Sequence, residues 1–214
     1  SLFIALGLAA LGAAFFIPLR PKTSITPSTE PVVVAPEFPD TPPFLLTERD
    51  GTPVDNTALD GKVWVAEFAF TRCKYCPQVS ATMGRLRDEM KLTDRDDFRL
   101  VTFTVDPDHD TADELKKYAE RFTKDTDRRW LFLRGPRSYV QLLCRRGFKV
   151  GLEEKPDAPS ELRFDHYLDV LVIDKQGKVR GHFPGLPPDR EGGQAVFDEG
   201  YKELKEKVAE LLKE

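Results

Sequence analysis

An α/β domain, with a central β-sheet covered by helices on both faces, is the fold class this sequence predicts. Three observations carry it. Runs of β-branched and aromatic residues alternate with segments whose apolar residues recur at helical spacing. The longest runs are apolar almost throughout, as expected of strands buried on both faces. A Cys-x-x-Cys-Pro segment, "CKYCP", falls where the first long strand hands over to a helix, the usual place for a site in an open α/β sheet.

The elements follow in order. "FLLTERDGTPV", residues 44–54, has Asp50-Gly51 between short apolar runs and reads as a hairpin. "KVWVAEFAF", residues 62–70, reads as a central buried strand. From Pro77 to Met90, Val79, Met83, Leu86 and Met90 recur at helical spacing. "FRLVTFTV", residues 98–105, is a second buried strand. Residues 111–122 form a helix, with Thr111 and Glu114 spaced as a capping box. "RWLFL" is a short strand, and residues 138–146 are a helix ended by Gly147. "YLDVLVID" is the last long strand, Gln176-Gly177 a turn, "VRGHF" the strand that pairs back, and residues 198–212 an amphipathic terminal helix.

The chain has 214 residues, a formal net charge of -4 and 40% hydrophobic content, which suits one globular domain with flanking segments. No basic stripe with interleaved aromatics appears, and this argues against a nucleic-acid partner. Residues 2–19 are 18 consecutive residues without a charge, enough to cross a bilayer as a membrane anchor. Arg20 and Lys22 follow that run without settling its orientation. Pro18, Pro21, Pro27, Pro31, Pro36, Pro39, Pro42 and Pro43 then mark an extended spacer. The expected organisation is an anchor over residues 1–19, a proline-rich linker over 20–43 and a globular domain over 44–214.

Three cysteines, Cys73, Cys76 and Cys144, are too few for a disulfide framework in a chain of this length. The close pair could shuttle electrons, hold a soft metal ion or staple a turn. A strand followed by Cys-x-x-Cys and a helix favours redox chemistry. A staple across four residues would restrain little of the chain. Zinc lacks a second ligand pair at suitable spacing. Pro77 suits the first helical turn. The helix dipole, Arg72 and Lys74 favour a thiolate, with Cys73 as the more exposed nucleophile and Cys76 as its resolving partner.

On the words "FAFTRCKYCP", "VTFTVDPDHDTADELKKYAERF", "RWLFLRGP" and "FDHYLDVLVIDKQGKV", the chain resembles the Sco/SenC family of the thioredoxin-like superfamily. The resemblance spans residue 44 to the C-terminus. It implies a thioredoxin-like fold, display on the extracytoplasmic side of an energy-transducing membrane and work on the copper site of cytochrome c oxidase. The partner would be that copper-site subunit or another extracytoplasmic thiol protein. It also implies one copper ion held by Cys73, Cys76 and His166. Two departures are visible. The family spacing is Cys-x-x-x-Cys-Pro, whereas this chain has the shorter thioredoxin spacing, which points to dithiol–disulfide exchange. Glu67, six residues before Cys73, occupies the offset of the buried acid in oxidoreductase thioredoxins, where Sco proteins are apolar. A buried Glu there is suited to proton transfer near neutral pH. The competing reading pairs Glu67 with a cation at a sheet edge.

The remaining candidates have plainer expectations. His166 should open the last long strand. His109 reads as a solvated loop residue, His182 as structural and Cys144 as a small buried apolar residue. Asp106 and Asp110 are expected to cap the helix after the second buried strand.

Overall fold

The computed structural model describes residues 41–124 and 126–214. The expected anchor and most of the linker lie outside these residues. Among the described residues no helix is long and apolar enough to cross a membrane.

The hairpin forms as β1 (Leu45–Glu48) and β2 (Pro53–Asp55), antiparallel around Gly51, whose φ of 89° is the left-handed conformation that glycine supplies without strain. The long strands are β3 (Val63–Ala69), β4 (Phe98–Thr104) and β5 (Trp130–Arg134). They run parallel, so each pair needs a crossover helix. Those helices are α1 (Cys76–Glu89) and α2 (Ala112–Ala119). After them come α3 (Arg137–Leu142), β6 (Leu152–Glu154), β7 (Phe164–His166), β8 (Asp169–Ile173), β9 (Val179–Pro184) and α4 (Gly193–Leu211). The seven-stranded mixed sheet has the order β2-β1-β5-β4-β3-β8-β9, and β6 and β7 form a separate two-stranded sheet.

Alternation along β3 divides the core. Val63 and Val65 face α1, α2 and α4, where Met83, Leu86, Leu115, Tyr201 and Leu204 are buried. Trp64, Ala66 and Phe68 face α3 and the segment after it. There Phe148 meets Trp64 and Phe68 edge-on, at ring distances of 6.1 and 5.4 Å, and Phe103 stacks on Phe68 at 5.1 Å. Helices on both sheet faces are therefore found as expected.

Three local expectations are corrected. The terminal helix begins at Gly193, five residues ahead of the expected 198, because Phe197 packs into the core with Tyr201. The helix before Gly147 is α-helical only to Leu142 and then widens into a π turn, Leu143–Gly147, which seats Cys144 and Phe148 in the core. His166 does not open the last long strand. It ends β7, which pairs with β6, and β8 starts only at Asp169.

Candidate functional site

The site gathers at the C-terminal end of β3. Phe70 follows that strand, and the Cys73 backbone N–H donates to its carbonyl at 3.0 Å, closing the turn that carries the first thiol. Cys76 opens α1, with Pro77 in the first helical turn, where a missing N–H costs nothing. The backbone N–H groups of Tyr75 and Cys76 both point at the Cys73 sulfur, donating at 3.3 and 3.2 Å. Two helix-start donors on one sulfur favour its anion.

His166 reaches the pair from the β6–β7 hairpin. Its Nε2 lies 3.7 Å from Cys73 Sγ and 3.4 Å from Cys76 Sγ. Its Nδ1 sits 3.0 Å from the Tyr167 carbonyl, an acceptor, so Nδ1 carries the proton and Nε2 is left for the sulfurs. Phe70 fixes the ring from one side, edge-on at 5.5 Å, and Phe164 supports Phe70 at 5.3 Å. Two sulfurs and one imidazole nitrogen, all within 4.8 Å of one another, could hold a metal ion. Thiolate and imidazole are the donors that soft and borderline ions prefer.

The two thiols differ. Cys73 is brought down from 9.0 to about 5, chiefly by the hydrogen bond from the Cys76 thiol, with His166 adding to it against the effect of burial. Cys76 is pushed well above 9.0 by burial first, then by the neighbouring Cys73. A cavity of about 300 Å³ reaches Cys73, lined also by Tyr75, Leu162, Phe164, His166 and Leu168 among others. Cys76 does not line it and is 1% exposed. This is the asymmetry expected of an attacking and a resolving thiol.

Glu67 lies on the α1 face of β3 and is 1% exposed. The expected alternative, an ion pair at a sheet edge, is not what forms. Instead Oε1 accepts from Ser80 Oγ at 2.7 Å and from Thr102 Oγ1 at 2.8 Å. Ser80, one helical turn after Cys76, is 2.8 Å from the Tyr118 hydroxyl, which therefore donates to it. Thr102 in turn accepts from Trp130 Nε1 at 3.0 Å. Oε2 is buried without a partner. Burial lifts the Glu67 pKa from 4.5 to about 7, the two hydroxyls opposing it. A proton on Glu67 thus belongs on Oε2. The Glu67 charge adds to the rise of the Cys76 pKa, so the carboxyl lies within electrostatic reach of that thiol.

Asp106 and Asp110 do not cap α2. Thr111 does so, accepting from the Glu114 backbone N–H. Asp110, fully buried, accepts instead from the Thr71 backbone N–H at 3.1 Å, from Thr71 Oγ1 at 2.6 Å, and from Thr104 Oγ1. Asp106 pairs with Arg72. The two carboxylates thus pin the two residues before Cys73. His109, expected to be solvated, is only partly exposed and lies 3.2 Å from Asp110. His182 is on β9, its ring edge-on to Tyr167 at 6.1 Å, and burial lowers its pKa. Cys144 is fully buried and burial pushes its thiol up to about 12, so it is inert. Sequence reasoning missed the β6–β7 hairpin. Its only signal was the spacing of Leu152, Phe164 and His166 around a Pro/Asp/Ser-rich turn.

The sequence and the fold have counterparts among known proteins. The SCO1 protein homolog of Bacillus subtilis (strain 168) is 32% identical over 146 residues, covering 67% of this chain and 73% of the relative. A SCO1/SenC family lipoprotein from Bacillus anthracis str. Ames superposes with a TM-score of 0.67 at 28% identity, covering 81% of this chain and 95% of that one. BsSco, described with a disulfide switch as a member of the Sco family of cytochrome c oxidase assembly proteins, gives 0.64 at 27% identity, over 82% and 94%. Bradyrhizobium japonicum ScoI, solved with copper bound, shares the fold at 0.61 and 23% identity, over 78% and 99%. The sequence profile of the SCO1/SenC family matches residues 35–197, most of the described domain and well over half of the chain, and the chain belongs to that family.

Proposed function

We propose that the protein handles copper for the assembly of cytochrome c oxidase, with Cys73, Cys76 and His166 holding one copper ion as cargo. The observation that carries this reading is the meeting of Cys73 Sγ, Cys76 Sγ and His166 Nε2 from two distant segments within 4.8 Å. The donor set fits the ion. Copper(I) prefers thiolates, and the Nδ1 bond to Tyr167 aims a neutral nitrogen at the pair. The uncharged run at residues 2–19 and the proline-rich spacer support a membrane tether that presents the domain on the extracytoplasmic side. A copper(I) competition titration on the reduced protein tests the reading. One ion per chain is expected, and no uptake would defeat it.

The buried carboxyl of Glu67 favours a second use of the same thiols. In this reading the Cys73 thiolate attacks a partner disulfide, forming a mixed disulfide and releasing one partner thiolate. The negative charge on Cys73 is then gone, and with it one cause of the high Cys76 pKa. Cys76 gives its proton to Glu67 and attacks the Cys73 sulfur. The partner leaves with both thiols reduced, and Cys73–Cys76 becomes a disulfide. The shortened Cys-x-x-Cys spacing supports this use. The partner would be the copper-site subunit of the oxidase or another extracytoplasmic thiol protein.

A further inference from the structure

We propose that Arg137 is a positioning residue for His166, the central link of an ion-pair relay that holds the histidine hairpin against the thiol loop. The proposal rests on the reading of His166 as the third ligand. A sheet of two three-residue strands cannot fix its own place, since isolated hairpins are marginal in water. Its position must come from side chains that cross to the main body of the domain.

The relay is traced residue by residue. Arg72, adjacent to Cys73, pairs with Asp106, which is 2% exposed. The other oxygen of Asp106 is 3.6 Å from Arg137 Nη2. Arg137, the first residue of α3, donates from Nη1 to both oxygens of Glu154, at 2.9 and 2.8 Å. Glu154 ends β6 and also accepts from Arg163 Nε and Nη2, at 3.2 and 2.9 Å. Arg163 leads directly into β7, where Phe164 stands opposite Glu154 and His166 opposite Leu152. The Arg137 guanidinium further lies 5.9 Å from the Phe164 ring centre, and Phe164 supports the Phe70 ring that packs on His166. One guanidinium thus touches both strands of the hairpin and the carboxylate that anchors the thiol loop. Without it, Asp106 keeps Arg72 and Glu154 keeps Arg163, but those pairs stay within the thiol loop and within the hairpin respectively, and the cation that joins the two is lost. Surface ion pairs contribute little, but here Asp106 is 2% exposed, and Arg137 Nη1 is shared between both oxygens of Glu154 in charge-assisted bonds.

The test uses Arg137→Met, which keeps the stem and removes the charge, and Glu154→Gln, which breaks the link from the hairpin side. In the reduced, metal-free protein, amide hydrogen exchange at residues 152–154 and 164–166 should speed up about tenfold or more in both variants, with β3 and β4 amides unchanged. Copper(I) affinity should fall about tenfold in Arg137→Met and should not fall further when the same change is made in a His166→Ala background. Should Arg137→Met loosen β3 and β4 as well, Glu154→Gln decides alone. Unchanged hairpin exchange in both variants would overturn the proposal. So would an affinity loss that persists in full in the His166→Ala background. If His166→Ala itself leaves affinity intact, the ligand reading fails, while the exchange data still decide whether Arg137 holds the hairpin.

Discussion

Cys76 Sγ lies 3.4 Å from His166 Nε2, although the two residues are 90 positions apart in the chain. The contact exists because α1 and the β6–β7 hairpin meet at the end of β3. It leaves Cys76 sealed on one side by the protein and on the other by the imidazole, while Cys73 opens to the cavity.

That difference sets the order of thiol reactivity. Alkylation of the reduced native protein at pH 6.5 should label Cys73 first, since its pKa of about 5 leaves it mostly thiolate. Cys76 should follow slowly and Cys144 only on unfolding. Mild oxidation should join Cys73 to Cys76 and leave Cys144 free. Peptide mass mapping checks both statements, and a disulfide that includes Cys144 would contradict them.

His166→Ala should weaken copper(I) binding without abolishing it. Two thiolates supply most of the affinity for a soft ion. The loss should be at least the roughly ten- to hundredfold that removing a hydrogen-bond partner of a ligand typically costs. Competition against a chelator of known affinity measures it, and an unchanged constant removes His166 from the ligand set.

Glu67→Gln should slow thiol–disulfide exchange about tenfold or more near neutral pH, the usual range for loss of a general base. Copper(I) affinity should hardly change, because a carboxylate is not a soft ligand. Stopped-flow exchange with a small disulfide reads the rate. Normal exchange with lost metal binding would assign Glu67 to the metal instead.

The same substitution has a pH signature in stability. The Glu67 pKa rises from 4.5 to about 7 on folding. Between those values the folded state binds more protons than the unfolded state, so stability falls as pH climbs through that window. The contribution, about 3 kcal/mol for a rise of this size, is complete below pH 4.5 and lost above pH 7. Gln cannot ionise. Urea unfolding should therefore show Glu67→Gln gaining up to about 3 kcal/mol on the parent protein at pH 8 and gaining nothing at pH 4. A gain that is equal at both pH values would show that ionisation is not its source.

Asp110→Ala should be among the costly single changes. It strands the buried Thr104 hydroxyl and the half-buried Thr71 N–H and hydroxyl. Each unsatisfied group costs about 1–3 kcal/mol, softened by relaxation, so a loss of roughly 2–4 kcal/mol is expected in urea. Asp110→Asn, which keeps an acceptor, should lose less. An Ala variant as stable as the parent would mean that the loop before Cys73 is not held there.

The sequence by itself determined the sheet, its helical covering and the thiol pair. Those features are written in local patterns: largely apolar, β-branched and aromatic runs for β3 and β4, helical spacing after Pro77, and a Cys-x-x-Cys at a strand–helix junction. It also picked out Glu67 and His166, through offsets and words shared with relatives rather than through any local force. Tertiary structure alone decided what surrounds them. Whether Glu67 meets a cation or a pair of hydroxyls depends on which faces of α1 and β4 turn toward it. Ser80 and Thr102 stand 13 and 35 residues away. The strands of the hairpin that carries His166 are too short to show a period in the sequence, and its place rests on Arg137 and Phe70, which meet Glu154 and Phe164 from across the fold. The acids of "DPDHDT" looked like helix caps because capping is the commonest local use of Asp before a helix. They were taken up instead by Thr71 and Arg72, since burial beside the thiol loop brought stronger partners than the helix end could offer.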